Sequence, residues 1–182
     1  MPLDDALRRE LIGMAREDQQ AREGLAASGA VGDPEQWHAL REVDEPHAER
    51  LWEILDDYER WPGVSVVGED GAHAAWLLAQ HAMADPGLQR RCLELLEVAV
   101  DLGDAPAAHY AYLLDRVRMA DGRDQRFGTQ FVDSDDGSTV QPWPIEQPAM
   151  VDERRQRIGL PTLAVHTRLM QEHYAQGRAT QV

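Results

Sequence analysis

The ends of the middle helices constrain this chain more than any other feature. Asp85-Pro86 reads as an N-cap followed by a first-turn proline, and Gly103 closes the segment it opens. Asp104 reads as the N-cap of the next segment, which stops at Asp121-Gly122, and an earlier one spans about Ala72 to Ala84 after Asp70-Gly71. A side-chain oxygen at the N-cap takes one of the free N–H groups of the first turn. A glycine just past the end accepts the left-handed conformation that closes a helix. Connections this short leave little choice but antiparallel neighbours. The chain therefore reads as mostly α, one single-domain antiparallel helical bundle or hairpin array.

The remaining segments fit that frame. Leu3, Leu7, Leu11, Met14 and Ala15 fall at helical spacing in an N-terminal helix over 3–27, broken by Ser28-Gly29 and Gly32-Asp33-Pro34. A core helical array covers 46–120 and starts with a helix from about Pro46 to Tyr58, with Asp44 able to cap it and Leu51, Ile54 and Leu55 as its apolar stripe. Trp61-Pro62-Gly63 ends that helix, and Val64 to Val67 reads as extended. A hairpin and strap occupy 123–149. Phe131-Val132 and Ser138-Thr139-Val140 flank an Asp-Gly turn, giving a small β-hairpin near 127–143, and Pro142, Pro144 and Pro148 make the strap irregular. C-terminal helices fill 150–176, one from Val151 to Ile158 and one from Pro161 to about Ala175. Within the array, LELLEVAVDLGDAPAAHYAYLLDRVRMADG is similar to part of a Sel1-type or tetratricopeptide-like repeat, a likeness that helical-hairpin packing explains by itself.

Charge and composition exclude several functions. A net charge of −15 argues against nucleic acid, which is bound by neutralising phosphates, and against anionic membranes. No run reaches the roughly 18 apolar residues of a membrane span. MPLDDALRRE lacks the apolar core of a secretory signal, so a cytoplasmic protein is the expectation. All 18 basic residues are arginine. Without lysine there is no Schiff base, no covalently held pyridoxal phosphate and no P-loop lysine. The single Cys92 lies on an apolar stripe with Leu88, Leu95, Leu96 and Ala99, reads as core, and excludes an internal disulfide. Seven histidines show no H-x-x-x-H spacing, and Asp133 to Gly137 lacks the length and closing glutamate of a calcium loop, so neither metal nor cofactor is expected.

Several elements together resemble a bacterial family of unknown function, DUF6624. They are Leu11-x-x-Met14-x-x-x-Asp18-Gln19-x-x-Arg22, Trp61-Pro62 leading to Val67-Gly68, Ala75-Trp76-Leu77-Leu78-Ala79-Gln80-His81-Ala82, Gln89, and Ala111-Tyr112-Leu113-Leu114-Asp115-Arg116-Val117. Gln125-x-x-Gly128-Thr129-Gln130 and Asp152-x-x-Arg155-x-x-x-Gly159-Leu160 complete the set, which covers about residues 6–165. Phe127 stands where the resemblance implies tyrosine. The resemblance implies a fold and a set of positions but no activity.

The candidate site rests on polar residues that helices of this kind should exclude. Gln80-His81 sits in AHAAWLLAQHAMA and Asp115-Arg116 in AAHYAYLLDRVRMA. Buried polar groups cost a few kcal/mol unless partnered, so these residues should meet one another or a ligand. Helical spacing gives one helix Tyr112, Asp115 and Arg116 within two turns. The expected pocket gathers Gln80, His81, Tyr112, Asp115 and Arg116, closed by Gln125, Thr129 and Gln130. His81 or Asp115 would be the general base, Arg116 would grip an anionic group and the glutamines would read donors and acceptors. The structural alternative is that Asp115 pairs with an arginine while the amides tie the strap to the helices. Asp18 and Arg22, an i, i+4 pair, form either a solvated face or a second wall of the pocket. Two functions follow: a site for a small polar or anionic ligand, as in a cofactor-independent acid–base tailoring enzyme, or an acidic helical module that binds a basic protein, as an inhibitor or immunity-type protein would. A homodimer interface is a third use for the same polar residues.

Overall fold

The computed structural model describes residues 3–27 and 34–179. Among them are seven α-helices and one small antiparallel sheet: α1 Asp5–Ala27, α2 Pro34–Tyr58, α3 Val64–His81, α4 Pro86–Asp101, α5 Ala107–Ala120, β1 Phe131–Asp133, β2 Val140–Pro142, a 3-10 turn Pro148–Met150, α6 Val151–Arg157 and α7 Leu163–Ala179. The protein is mostly α with a small hairpin. It divides into two compact units, Met1–His109 and Tyr110–Val182, with the division inside α5.

In the first unit α1 packs along α3, α2 packs against both, and α4 packs against α3 and α2. Leu7, Leu11 and Ala15 of α1 and Ala72, Ala75 and Ala79 of α3 are buried, and these alanines let the two helices approach closely. Leu51, Ile54 and Leu55 of α2 and Leu88, Cys92 and Leu96 of α4 complete the core. Each buried leucine contributes about 1.5–3 kcal/mol. Cys92 is the expected core residue, and burial pushes its thiol pKa up. Asp4 caps α1 through its carboxylate, which accepts from Ala6 and Leu7 N–H, so Leu3 stays outside the helix and exposed.

The ends of α4 match the local signals. The Asp85 carboxylate accepts from Leu88 N–H at 2.9 Å, with Pro86 in the first turn. At the other end Gly103 N–H donates to Val100 O and Asp104 N–H to Ala99 O, with Gly103 left-handed at φ 71°. Gly122 closes α5 and Gly159 closes α6 with the same pair of bonds.

Three expectations are corrected. α2 begins at Pro34, not near Pro46, and runs through Pro46. The preceding residues stay helical because Leu40 is buried there, beside Ala21, Leu25 and Ala39. That outweighs the one backbone bond the proline removes. Val64–Val67 is a helical turn, not extended, joined to the rest of α3 across a kink at Gly68. Asp104 does not cap α5. Its carboxylate accepts from Ser65 N–H and Ser65 Oγ–H, and its carbonyl from Val64 N–H, so it caps α3 instead. Gly63 makes this possible, since a Cβ there would lie 2.6 Å from the Asp104 carbonyl oxygen. The expected breaks at Ser28-Gly29 and Gly32-Asp33 lie outside the described residues.

In the second unit β1 and β2 pair with Phe131 opposite Pro142 and Asp133 opposite Val140. The Asp136-Gly137 turn is held by Asp136, whose carboxylate accepts from Ser134 and Ser138. α7 packs on β2 and against α6.

Candidate functional site

The residues expected to share one pocket form two groups, one inside each unit. In the first unit, His81 ends α3, Asp18 and Arg22 lie one turn apart on α1, and Asp44 lies on α2. His81 Nδ1 is 2.7 Å from Asp18 Oδ2 and 2.9 Å from Arg22 Nε. Nδ1 cannot both donate to the carboxylate and accept from the guanidinium. The shorter, charge-assisted contact favours Nδ1–H donating to Asp18. Arg22 Nε–H then donates to Asp18 Oδ1 at 3.2 Å, and Arg22 Nη2 to Asp44 Oδ1 at 2.7 Å. Gln19 Nε2 donates to Asp18 Oδ2 at 2.9 Å.

Burial grades the members of this group. The Asp18 side chain is 1 % exposed, whereas His81 and Arg22 are each 20 % exposed. Burial alone would raise the Asp18 pKa, but hydrogen bonding and charge from His81, with Gln19 and Arg22, hold it down at about 2. Burial raises the Asp44 carboxyl despite Arg22, and the nearby Asp18 charge adds to the rise. Asp18 and Arg22 thus form no solvated surface pair. Gln80 is buried beside His81, and its carbonyl accepts from the buried Gln89 amide of α4, as does the Ala79 carbonyl. Asp44 also lines a cavity of about 210 Å³ with Trp52, Ala82 and Asp85, and a second of the same size with Leu40, Arg41 and Met83.

In the second unit Asp115 is fully buried on α5 and organises the loop that follows. Its carboxylate accepts from Arg126 N–H at 2.6 Å, from Phe127 and Thr129 N–H at 3.1 Å, and from Thr129 Oγ1–H at 3.0 Å. Its pKa is raised by burial, which these neutral donors only partly offset. Gln125, also fully buried, donates to the carbonyls of Gln130 and Trp143 and accepts from Gln130 N–H, stitching loop to strap. The Gln130 amide donates to Thr129 Oγ1 and to the Tyr112 carbonyl. Tyr112 and Arg116 are half-buried on the same helix, and burial raises the Tyr112 hydroxyl pKa.

Two contributors escaped the sequence reading. Asp44 looked like a helix cap, and no local signal separates that role from an ion pair with Arg22. Arg155 entered only as part of a family pattern. It is fully buried on α6, where its guanidinium donates to the carbonyls of Phe127, Gly128 and Pro161, holding the Asp115 loop from the other side. Gly128 is left-handed at φ 68°, a conformation that favours glycine, and a Cβ there would also displace the end of the Leu163 side chain, 2.6 Å away. His166 is also buried, edge-on to Phe131 and Tyr112.

No described helix is long and apolar enough to cross a membrane. Searches of curated proteins and of solved structures found no match. One family model, described as a family of unknown function, matches residues 5–178, nearly the whole chain and all of both polar groups. The chain belongs to that family, DUF6624.

Proposed function

We propose that the first unit binds a small polar molecule and exchanges a proton with it through His81. The observation that carries this reading is the pairing of a partly exposed imidazole with a carboxylate that solvent barely reaches, at 2.7 Å. A carboxylate on Nδ1–H fixes the tautomer and leaves the Nε2 lone pair for an outside proton. Arg22 ion-pairs with both Asp18 and Asp44, and Asp18 in turn meets His81. The absence of lysine removes lysine Schiff-base chemistry. In this reading Asp115 is a positioning residue for its loop and His81 is the base.

The test is a panel of small carboxylic acids, amides and amines, assayed by thermal shift and by the His81 imidazole resonances. Ligands that shift the wild type should lose most of their effect on His81→Gln and Asp18→Asn. Equal responses from wild type and a folded His81→Gln variant across the panel would end this reading. The net charge of −15 favours a second reading, an acidic surface for a basic protein. It predicts complexes that form at low ionic strength and dissolve with added salt.

A further inference from the structure

A separate group of side chains in the first unit has a different chemistry. We propose that His73 and His109, with Glu69, form a site for a divalent transition-metal ion of the zinc type. His73 lies on α3 and His109 in the first turn of α5, with His73 Nδ1 3.4 Å from His109 Nε2. That is long for an N–H···N hydrogen bond. It matches the spacing of two imidazole nitrogens on one tetrahedral ion, about 3.3–3.4 Å for metal–nitrogen bonds of 2.0–2.1 Å.

The pair is held in place and open to solvent. The His109 ring stacks on Trp76 at 4.4 Å and 7°, and Trp76 Nε1–H donates to the His109 carbonyl at 3.0 Å. His109 Nδ1 is buried with no partner among the described residues, so no competing bond forces the ring proton onto Nε2. His73 is exposed, and a cavity of about 480 Å³ lined by Glu69, His73, Pro106 and His109 leaves room for the rest of a coordination shell. Among the described residues no three such side chains already converge on one point. Glu69 is the third donor we assign: it is exposed, lies one helical turn before His73 on the same face and lines the same cavity. Rotation of its side chain would complete a His₂Glu set, with water in the fourth position. Imidazole and carboxylate donors suit zinc, cobalt and nickel, and the strongly acidic chain raises the local cation concentration.

The experiment uses full-length protein without a histidine tag, titrated with Zn²⁺ by calorimetry and with Co²⁺ by visible absorption. The expected result is one saturable Zn²⁺ site, a tetrahedral Co²⁺ spectrum and no comparable response to Mg²⁺ or Ca²⁺. His73→Ala, at an exposed position, should weaken Zn²⁺ binding by about tenfold or more, and His109→Gln should do the same where it folds. Absence of saturable binding, or binding that survives His73→Ala unchanged, overturns the site. Unchanged affinity in Glu69→Gln overturns the three-donor assignment.

Discussion

Asp18 and Asp115 are both buried carboxylates, and their surroundings solve the same problem differently. Asp18 meets charge: His81 and Arg22 outweigh desolvation and keep it ionised down to about pH 2. Asp115 accepts, among the described residues, from backbone N–H groups and one hydroxyl, which do not outweigh desolvation, and its pKa rises. Asp18→Asn should therefore cost roughly 3 kcal/mol in urea denaturation, because it takes from the partly buried Arg22 guanidinium one of its two carboxylates. It should also release the His81 tautomer, visible in ring ¹⁵N shifts. Asp115→Asn keeps one acceptor but turns an NH₂ group toward N–H donors, and should cost about 2–3 kcal/mol. Its effect on any ligand response should follow stability alone. A stable Asp115→Asn variant would contradict the role of that carboxylate as the anchor of the 126–129 loop.

Helix ends show where packing, not propensity, dictates a residue. Gly63 has an ordinary φ of −77°, so its requirement comes from the Asp104 carbonyl lying where a Cβ would go. Gly13, inside α1, has nothing within 4 Å of that position. Gly63→Ala should destabilise by about 2 kcal/mol or more through forced displacement of the α4–α5 link. Gly13→Ala should stabilise by roughly 0.5–1 kcal/mol. Thermal melts of the two variants should move in opposite directions. The same distinction explains what was legible in the sequence. Asp85-Pro86, Gly103 and Asp136-Gly137 act on their own neighbours, so their roles could be read locally, as could the buried character of Asp115, Gln125 and Gln130. The Asp18–His81 contact joins residues 63 apart in sequence. Asp44 and Asp104 both resemble caps of the helices they precede, yet one pairs with Arg22 and the other caps α3. Only tertiary packing distinguishes these uses.

Across the whole molecule, acid should act in two stages. Burial, then the charge of His73, lowers the His109 pKa to about 4, whereas an unfolded imidazole titrates near 6.5. Between those values the unfolded chain binds the extra proton, so stability falls as pH drops from about 6.5 toward 4. His166, lowered by burial and then by the Arg155 charge, acts in the same direction. The second stage belongs to carboxylates with depressed pKa values. Asp18, at about 2, contributes stability above the ordinary 3.8 and loses it as pH falls from there toward 2. Asp44 and Asp115, both raised, prefer to be protonated in the folded state and offset part of that loss. Urea midpoints should decline from about pH 7 to about pH 5 and fall again below about pH 4. His109→Gln should shrink the first decline and leave the second intact. A wild-type midpoint that stays level between about pH 7 and pH 5 would mean that neither His109 nor His166 is held neutral by its surroundings.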